Sequence, residues 1–160
     1  MPDSFSLRRT ACYGTSPVYT IDVTPDDYVT YMGFSFVAAE GPRVRQLPRG
    51  SFGRIVLLLN EARFGHFDSA YPDRDYSNCE SFWADMPSVT MILETAECSH
   101  QVYFNLGCLG FEGRERLQRL VAEVDRLLDI GDWVNGFALN GAEDGPPESI
   151  SEVPSSALSQ

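Results

Sequence analysis

The chain has 160 residues, is 43% hydrophobic and 12% aromatic, and carries a net charge of −11. That is enough apolar material for one domain with a core, and the acidic balance argues against nucleic acid or an anionic membrane as partner, since both need a basic surface. No run approaches the ~18 apolar residues of a membrane-spanning helix, and the absence of Lys excludes Schiff-base and phosphate-loop Lys chemistry.

The chain opens Met-Pro-Asp-Ser-Phe-Ser-Leu-Arg-Arg-Thr, without an apolar stretch of signal-peptide length. A cytoplasmic protein is therefore expected, or an exported one if a leader has been removed. Residues 5–10 read as a weak strand. Residues 18–24 alternate, with Tyr19, Ile21 and Val23 on one face, as in a half-buried strand. Pro25-Asp26-Asp27 is a turn, and residues 28–38 form a longer strand, so the pair reads as a hairpin. Glu40-Gly41-Pro42 breaks that strand.

Residues 51–63 place Phe52, Ile55, Val56, Leu59 and Ala62 on one helical stripe. Ser51 stands where a cap is needed and Gly65 where a helix ends. Residues 66–86 are polar and turn-rich. A connection of ~20 residues is long for a compact domain and points to function. It carries Phe67, Tyr71, Tyr76, Phe82 and Trp83.

Residues 88–95 and 100–106 alternate again and read as a second hairpin. Residues 114–129 form the clearest helix, with Leu117, Leu120, Val121, Val124, Leu127 and Leu128 on one stripe. Glu112–Arg116, Glu115–Arg119 and Arg119–Glu123 stand at i,i+4 spacing. Gly131 is expected to end the helix, and Trp133, Val134, Phe137 and Leu139 to pack back on the core. Residues 141–160 hold Glu143, Asp144, Glu148 and Glu152 among Gly, Pro and Ser, and read as a disordered acidic tail. Without those four acids the remainder still carries −7.

The order hairpin, helix, hairpin, helix predicts an α+β domain over residues 1–140. Its sheet is mainly antiparallel, of about five strands, with two amphipathic helices on one face.

Four cysteines occur, Cys12, Cys79, Cys98 and Cys108, with no C-x-x-C pair and with His66 and His100 far apart. This spacing does not describe a zinc site. Reduced thiols are expected in the cytoplasm, or two disulfides in an exported protein. Cys12 has Arg8 and Arg9 nearby to lower a thiol pKa, but a structural turn thiol is the commoner case. A Cys98–His100 pair oriented by Asp85 lacks any sequence feature that gathers it. Asp68, Asp73, Asp75, Glu80 and Asp85 match no calcium loop and read as a solvated acidic face.

One segment stands apart: Thr10-Ala11-Cys12-Tyr13-Gly14-Thr15-Ser16-Pro17-Val18-Tyr19. It resembles the signature of an uncharacterised bacterial family, domain of unknown function 6438: Cys, Phe or Tyr, Gly, any residue, Cys, Pro, any residue, Tyr. The candidate signature loop is thus Cys12, Tyr13, Gly14, Ser16, Pro17 and Tyr19. Val29-Thr30-Tyr31-Met32-Gly33 resembles the family's Tyr-x-Gly strand. Arg63-Phe64-Gly65-His66-Phe67, with Tyr71 beyond, resembles its central helix and exit, and Asp85-Met86-Pro87-Ser88 its step into a strand. The resemblance covers about residues 6–136. Ser16 stands where the signature has its second Cys; a C-x-x-x-C pair could form a local disulfide or bind a soft metal, and Cys12 with Ser16 can do neither alone.

The resemblance implies a fold and no activity. No catalytic set, metal site or cofactor motif stands out. The reading is a small, acidic, non-catalytic module that binds a protein or peptide, for which a basic partner fits. Its candidate partner-binding loop is Tyr71, Tyr76, Phe82, Trp83 and Asp85. The alternative is a thiol-based redox or metal-handling domain centred on Cys12.

Overall fold

A computed structural model describes residues 2–11 and 14–135. In chain order its elements are β1 (Ser4–Thr10), β2 (Val18–Val23), β3 (Tyr28–Ser35), β4 (Gly41–Gln46), α1 (Ser51–Glu61), a 3₁₀ turn (Phe64–His66), β5 (Ala70–Tyr71), β6 (Ser81–Phe82), β7 (Ser88–Glu94), β8 (Ser99–Asn105), β9 (Cys108–Leu109), α2 (Arg114–Leu128) and α3 (Gly131–Val134).

The fold is α+β. The main sheet has seven strands in the order β4-β3-β2-β1-β7-β8-β5, and β6 and β9 pair separately. Its pairs are antiparallel except β5 with β8, which run parallel, so the sheet is mixed. Register aligns the apolar faces across it. Tyr31, Ile21, Leu7, Met91 and Val102 form one continuous row, and Val29, Val23 and Phe5 another. These residues are buried together with Phe52, Ile55 and Leu59 of α1 and Leu117, Leu120, Val124 and Leu128 of α2. On the opposite face Arg8, Asp22, Thr30 and Met32 are exposed. Both helices therefore cover the same side of the sheet.

The expected count of about five strands is too low, for identifiable reasons. β4 has the sequence Gly-Pro-Arg-Val-Arg-Gln, whose Pro and two Arg carry no alternating apolar signal. It is tolerated because it is an edge strand, where a missing N–H and exposed charge do least harm. β5, β6 and β9 have two residues each and cannot show a period.

The helix ends also differ from expectation. Ser51 does not cap α1; its hydroxyl donates to the Pro48 carbonyl at 2.6 Å. The cap comes from the turn before β3. Asp27 is buried, and its Oδ1 accepts the Phe52 amide at 2.7 Å while Oδ2 accepts the Gly50 amide at 2.9 Å. A carboxylate at a helix N-terminus answers both orphan amides and the dipole. Past the other end, Arg63 takes the left-handed turn at φ 58°, and Gly65 lies within the 3₁₀ turn instead. At the end of α2 the left-handed residue is Asp129, and Gly131 begins α3.

Trp133 packs back as expected. Its ring lies 4.9 Å from that of Tyr31, and its carbonyl accepts the Ala39 amide at 2.8 Å. Phe137, Leu139 and the expected tail at 141–160 fall outside the described residues, as do Cys12 and Tyr13. Among the described residues no helix is long and apolar enough to cross a membrane.

Candidate functional site

The signature segment joins β1 to β2. Tyr19 is buried, with its ring 5.7 Å from Tyr31. A register shift falls between Val18 and Tyr19 where the segment enters the sheet. Beside Tyr19, Arg9 reaches from β1 to Asp125 of α2 at 2.5 Å. Burial pushes the Tyr19 hydroxyl up, and it pushes the Asp125 carboxyl up more than Arg9 draws it down. Gly14 carries a positive φ, and Ser16 and Pro17 are half-buried.

The Tyr-x-Gly strand has a physical reading as well. Tyr31 Oη donates to the Ala39 carbonyl at 2.9 Å, and burial pushes its pKa up to about 12. Two residues on, a Cβ on Gly33 would lie 2.1 Å from that same carbonyl oxygen. The glycine makes room for the turn that the tyrosine holds.

The long segment 66–86 divides into a buried and an exposed half. Phe67 and Tyr71 belong to the core. Tyr71 stacks on Phe111 with ring centres 3.8 Å apart, and its hydroxyl accepts the Asp68 amide at 2.8 Å. Its place among the expected partner-binding residues is therefore corrected: its aromatic surface is used internally. Tyr76 is 55% exposed and Trp83 66%, and Met86 lies beside them in sequence at 40%. Phe82 is half-buried and supports Tyr76 edge to face at 5.2 Å. Asp85 is exposed and takes a left-handed φ of 72°.

This exposed half is firmly held. Cys79 and Cys108 form a disulfide, which replaces the expected reduced thiols at these two positions. Ser81 and Phe82 pair with Leu109 and Cys108. The Glu80 amide donates to Leu109 at 2.7 Å and the Trp83 amide to Gly107 at 2.9 Å. A Cβ on Gly107 would sit 2.0 Å from the Trp83 carbonyl oxygen, so the glycine permits this close approach.

A polar cavity of about 440 Å³ opens between the end of α1 and the start of α2. Arg116 leads into it. Its Nε donates to the Ala62 carbonyl at 2.8 Å, and its guanidinium lies 4.6 Å from the centre of the Phe67 ring. Tyr71 and Phe111 supply aromatic wall, and Arg63, His66, Asp68 and Glu112 the polar rim. The expected Glu112–Arg116 ion pair is absent, because Arg116 turns to Ala62 and Phe67; within α2 the pair formed is Arg126 with Glu123. Sequence reasoning missed this cavity. Its one trace was the Arg63-Phe64-Gly65-His66-Phe67 segment, whose meaning depends on Arg116, far along the chain.

The remaining candidates do not assemble. Cys98 is a free, exposed thiol 3.5 Å from Thr95 Oγ1. The His100 ring packs edge-on against Phe64, and its buried Nε2 has no hydrogen-bond partner, so it forms no dyad through that atom. Asp73 accepts the Ser77 hydroxyl and amide, and the hydroxyl bond holds its carboxyl below the usual range. Among the described residues no three His, Cys, Asp or Glu side chains gather as a metal site.

No curated protein matches this chain. The family model described as Domain of unknown function (DUF6438) matches residues 3–128, which span both hairpins, α1 and the whole of α2. The chain belongs to that family.

Proposed function

We propose that the domain is a non-catalytic binding module that engages a protein or peptide partner through Tyr76, Trp83 and Met86. One observation carries the reading. Three large apolar side chains are exposed within eleven residues of a segment pinned by a disulfide and a two-stranded ladder. Rigid exposed aromatics are effective interface anchors, because little conformational entropy remains to be lost on binding. The acidic balance of the chain fits a basic partner.

The Cys79–Cys108 bridge supports the exported alternative over a cytoplasmic location, since cytosolic pools keep thiols reduced. The rival thiol-based reading centres on Cys12, and nothing among the described residues favours it.

Capture of partners from the native cell tests the proposal, with wild-type protein and Trp83→Ala in parallel. Partners recovered by the wild type and lost with the variant support it. Equal recovery by both removes this segment from any binding role.

A further inference from the structure

We propose that the cavity between α1 and α2 binds a carboxylate group, with Arg116 as the principal ligand and Arg63 as its second cation. The inference stands apart from the partner-binding reading, since it uses none of Tyr76, Trp83 or Met86.

Arg116 is oriented before any ligand arrives. Its Nε is committed to the Ala62 carbonyl, and its guanidinium carbon lies over the Phe67 ring. Gly113 closes in on it. A Cβ there would come within 3.1 Å of Nη2, 3.2 Å of Nη1 and 3.1 Å of the Phe67 ring, and Gly113 itself holds a φ of 88°. A flat guanidinium therefore lies beside Phe67 where a side chain at 113 would crowd it. Neither Nη1 nor Nη2 has an acceptor among the described residues, and no carboxylate lies within 4.0 Å of them. Two parallel N–H donors held in this way match the two oxygens of an oxyanion.

The surroundings select the class of oxyanion. Arg63 adds a cation that makes no ion pair among the described residues. The Tyr71 hydroxyl already accepts the Asp68 amide and keeps its own proton to donate. The first turn of α2 starts here with no side-chain cap. Against these stand the Asp68 and Glu112 carboxylates on the rim. Two nearby negative charges penalise a phosphate dianion more than a carboxylate monoanion. The Tyr71 and Phe111 rings, stacked on each other and almost wholly buried, close the cavity on its core side and leave recognition to its polar groups. The carboxylate belongs to a small organic acid or to the end of a peptide, and the chemistry recognised is the same.

Titration of the full chain, followed by NMR at the Arg116 Nε–H and the Phe67 ring, tests this. The probes are benzoate, inorganic phosphate, and the tripeptide Gly-Gly-Phe as free acid and as C-terminal amide. Saturable shifts with benzoate or with the tripeptide acid are expected, and which of the two binds more tightly identifies the source. Arg116→Lys keeps the charge and loses the fork, and is expected to weaken binding about tenfold or more. Arg63→Asn tolerates the left-handed backbone, leaves Arg116 untouched and is expected to weaken binding less. Trp83→Ala should leave these titrations unchanged. Equal shifts with tripeptide acid and amide, tighter binding of phosphate than of either carboxylate, or no saturable shift with any probe would overturn the proposal.

Discussion

A Cβ on Gly33 would stand 2.1 Å from the Ala39 oxygen and 2.6 Å from the Tyr31 hydroxyl, so neither backbone nor ring has room to yield. Gly33→Ala is expected to cost about 3 kcal/mol by overpacking and by loss of the Tyr31–Ala39 bond. Gly53 is the control. It lies inside α1 with nothing beyond its chain neighbours and the helix's own backbone within 4 Å of the place a methyl group would take, and Gly53→Ala should gain about 0.5–1 kcal/mol from helix propensity. Urea denaturation of the pair measures both. Arg45 works at the same scale. It stacks over Trp133 at 4.2 Å and chelates Asp132, which holds the Asp132 carboxyl below its ordinary 3.8. A depressed carboxylate stabilises the fold above its unfolded pKa, and that contribution disappears as pH falls through the folded value. Asp132 is 61% exposed, so the gain is a few tenths of a kcal/mol. Asp132→Asn should therefore lower stability slightly at pH 7 and leave it unchanged at a pH below both values. A deficit that persists in acid would assign the effect to packing.

At the scale of the element, what was legible from sequence followed period. β1, β2, β3, β7, β8, α1 and α2 each repeat an apolar residue often enough to declare itself, and each lies within about three residues of its expected bounds. What was illegible depended on partners distant in the chain. Tyr71 sits in a polar stretch and is buried only because Phe111 comes back to stack on it. The Cys79–Cys108 pairing is invisible without the β6–β9 ladder. The Arg116 cavity needs the end of α1 and the start of α2 together. The cap of α1 is the same kind of feature, since Asp27 lies 23 residues before Gly50 and 25 before Phe52. Asp27→Ala removes acceptors from two amides, one of them buried, and should cost about 2 kcal/mol. Ser51→Ala, at the position expected to cap, should cost less. Thermal unfolding of the two variants orders them, and a larger loss for Ser51→Ala would contradict the assignment.

Across the whole molecule, a covered sheet face and two helices form a frame that holds a short second ladder and its exposed aromatics to one side. The disulfide closes a loop with a sequence separation of 29. Replacing Cys79 and Cys108 together by Ala should cost about 3 kcal/mol through chain entropy. On the intact protein, alkylation should modify Cys98 readily and reach Cys79 and Cys108 only after reduction; rapid labelling of all three without reductant would contradict the bridge. The segment that this bridge holds is the proposed partner interface. Calorimetric titration of a captured partner against the wild type and against Tyr76→Ala/Trp83→Ala tests it most directly. Loss of two interface anchors should weaken binding by about 2 kcal/mol or more, roughly thirtyfold, while the melting temperature shifts little, because both side chains are more than half exposed and the one ring contact given up is that of Tyr76 with Phe82. Equal affinity for the two proteins would place the interface elsewhere.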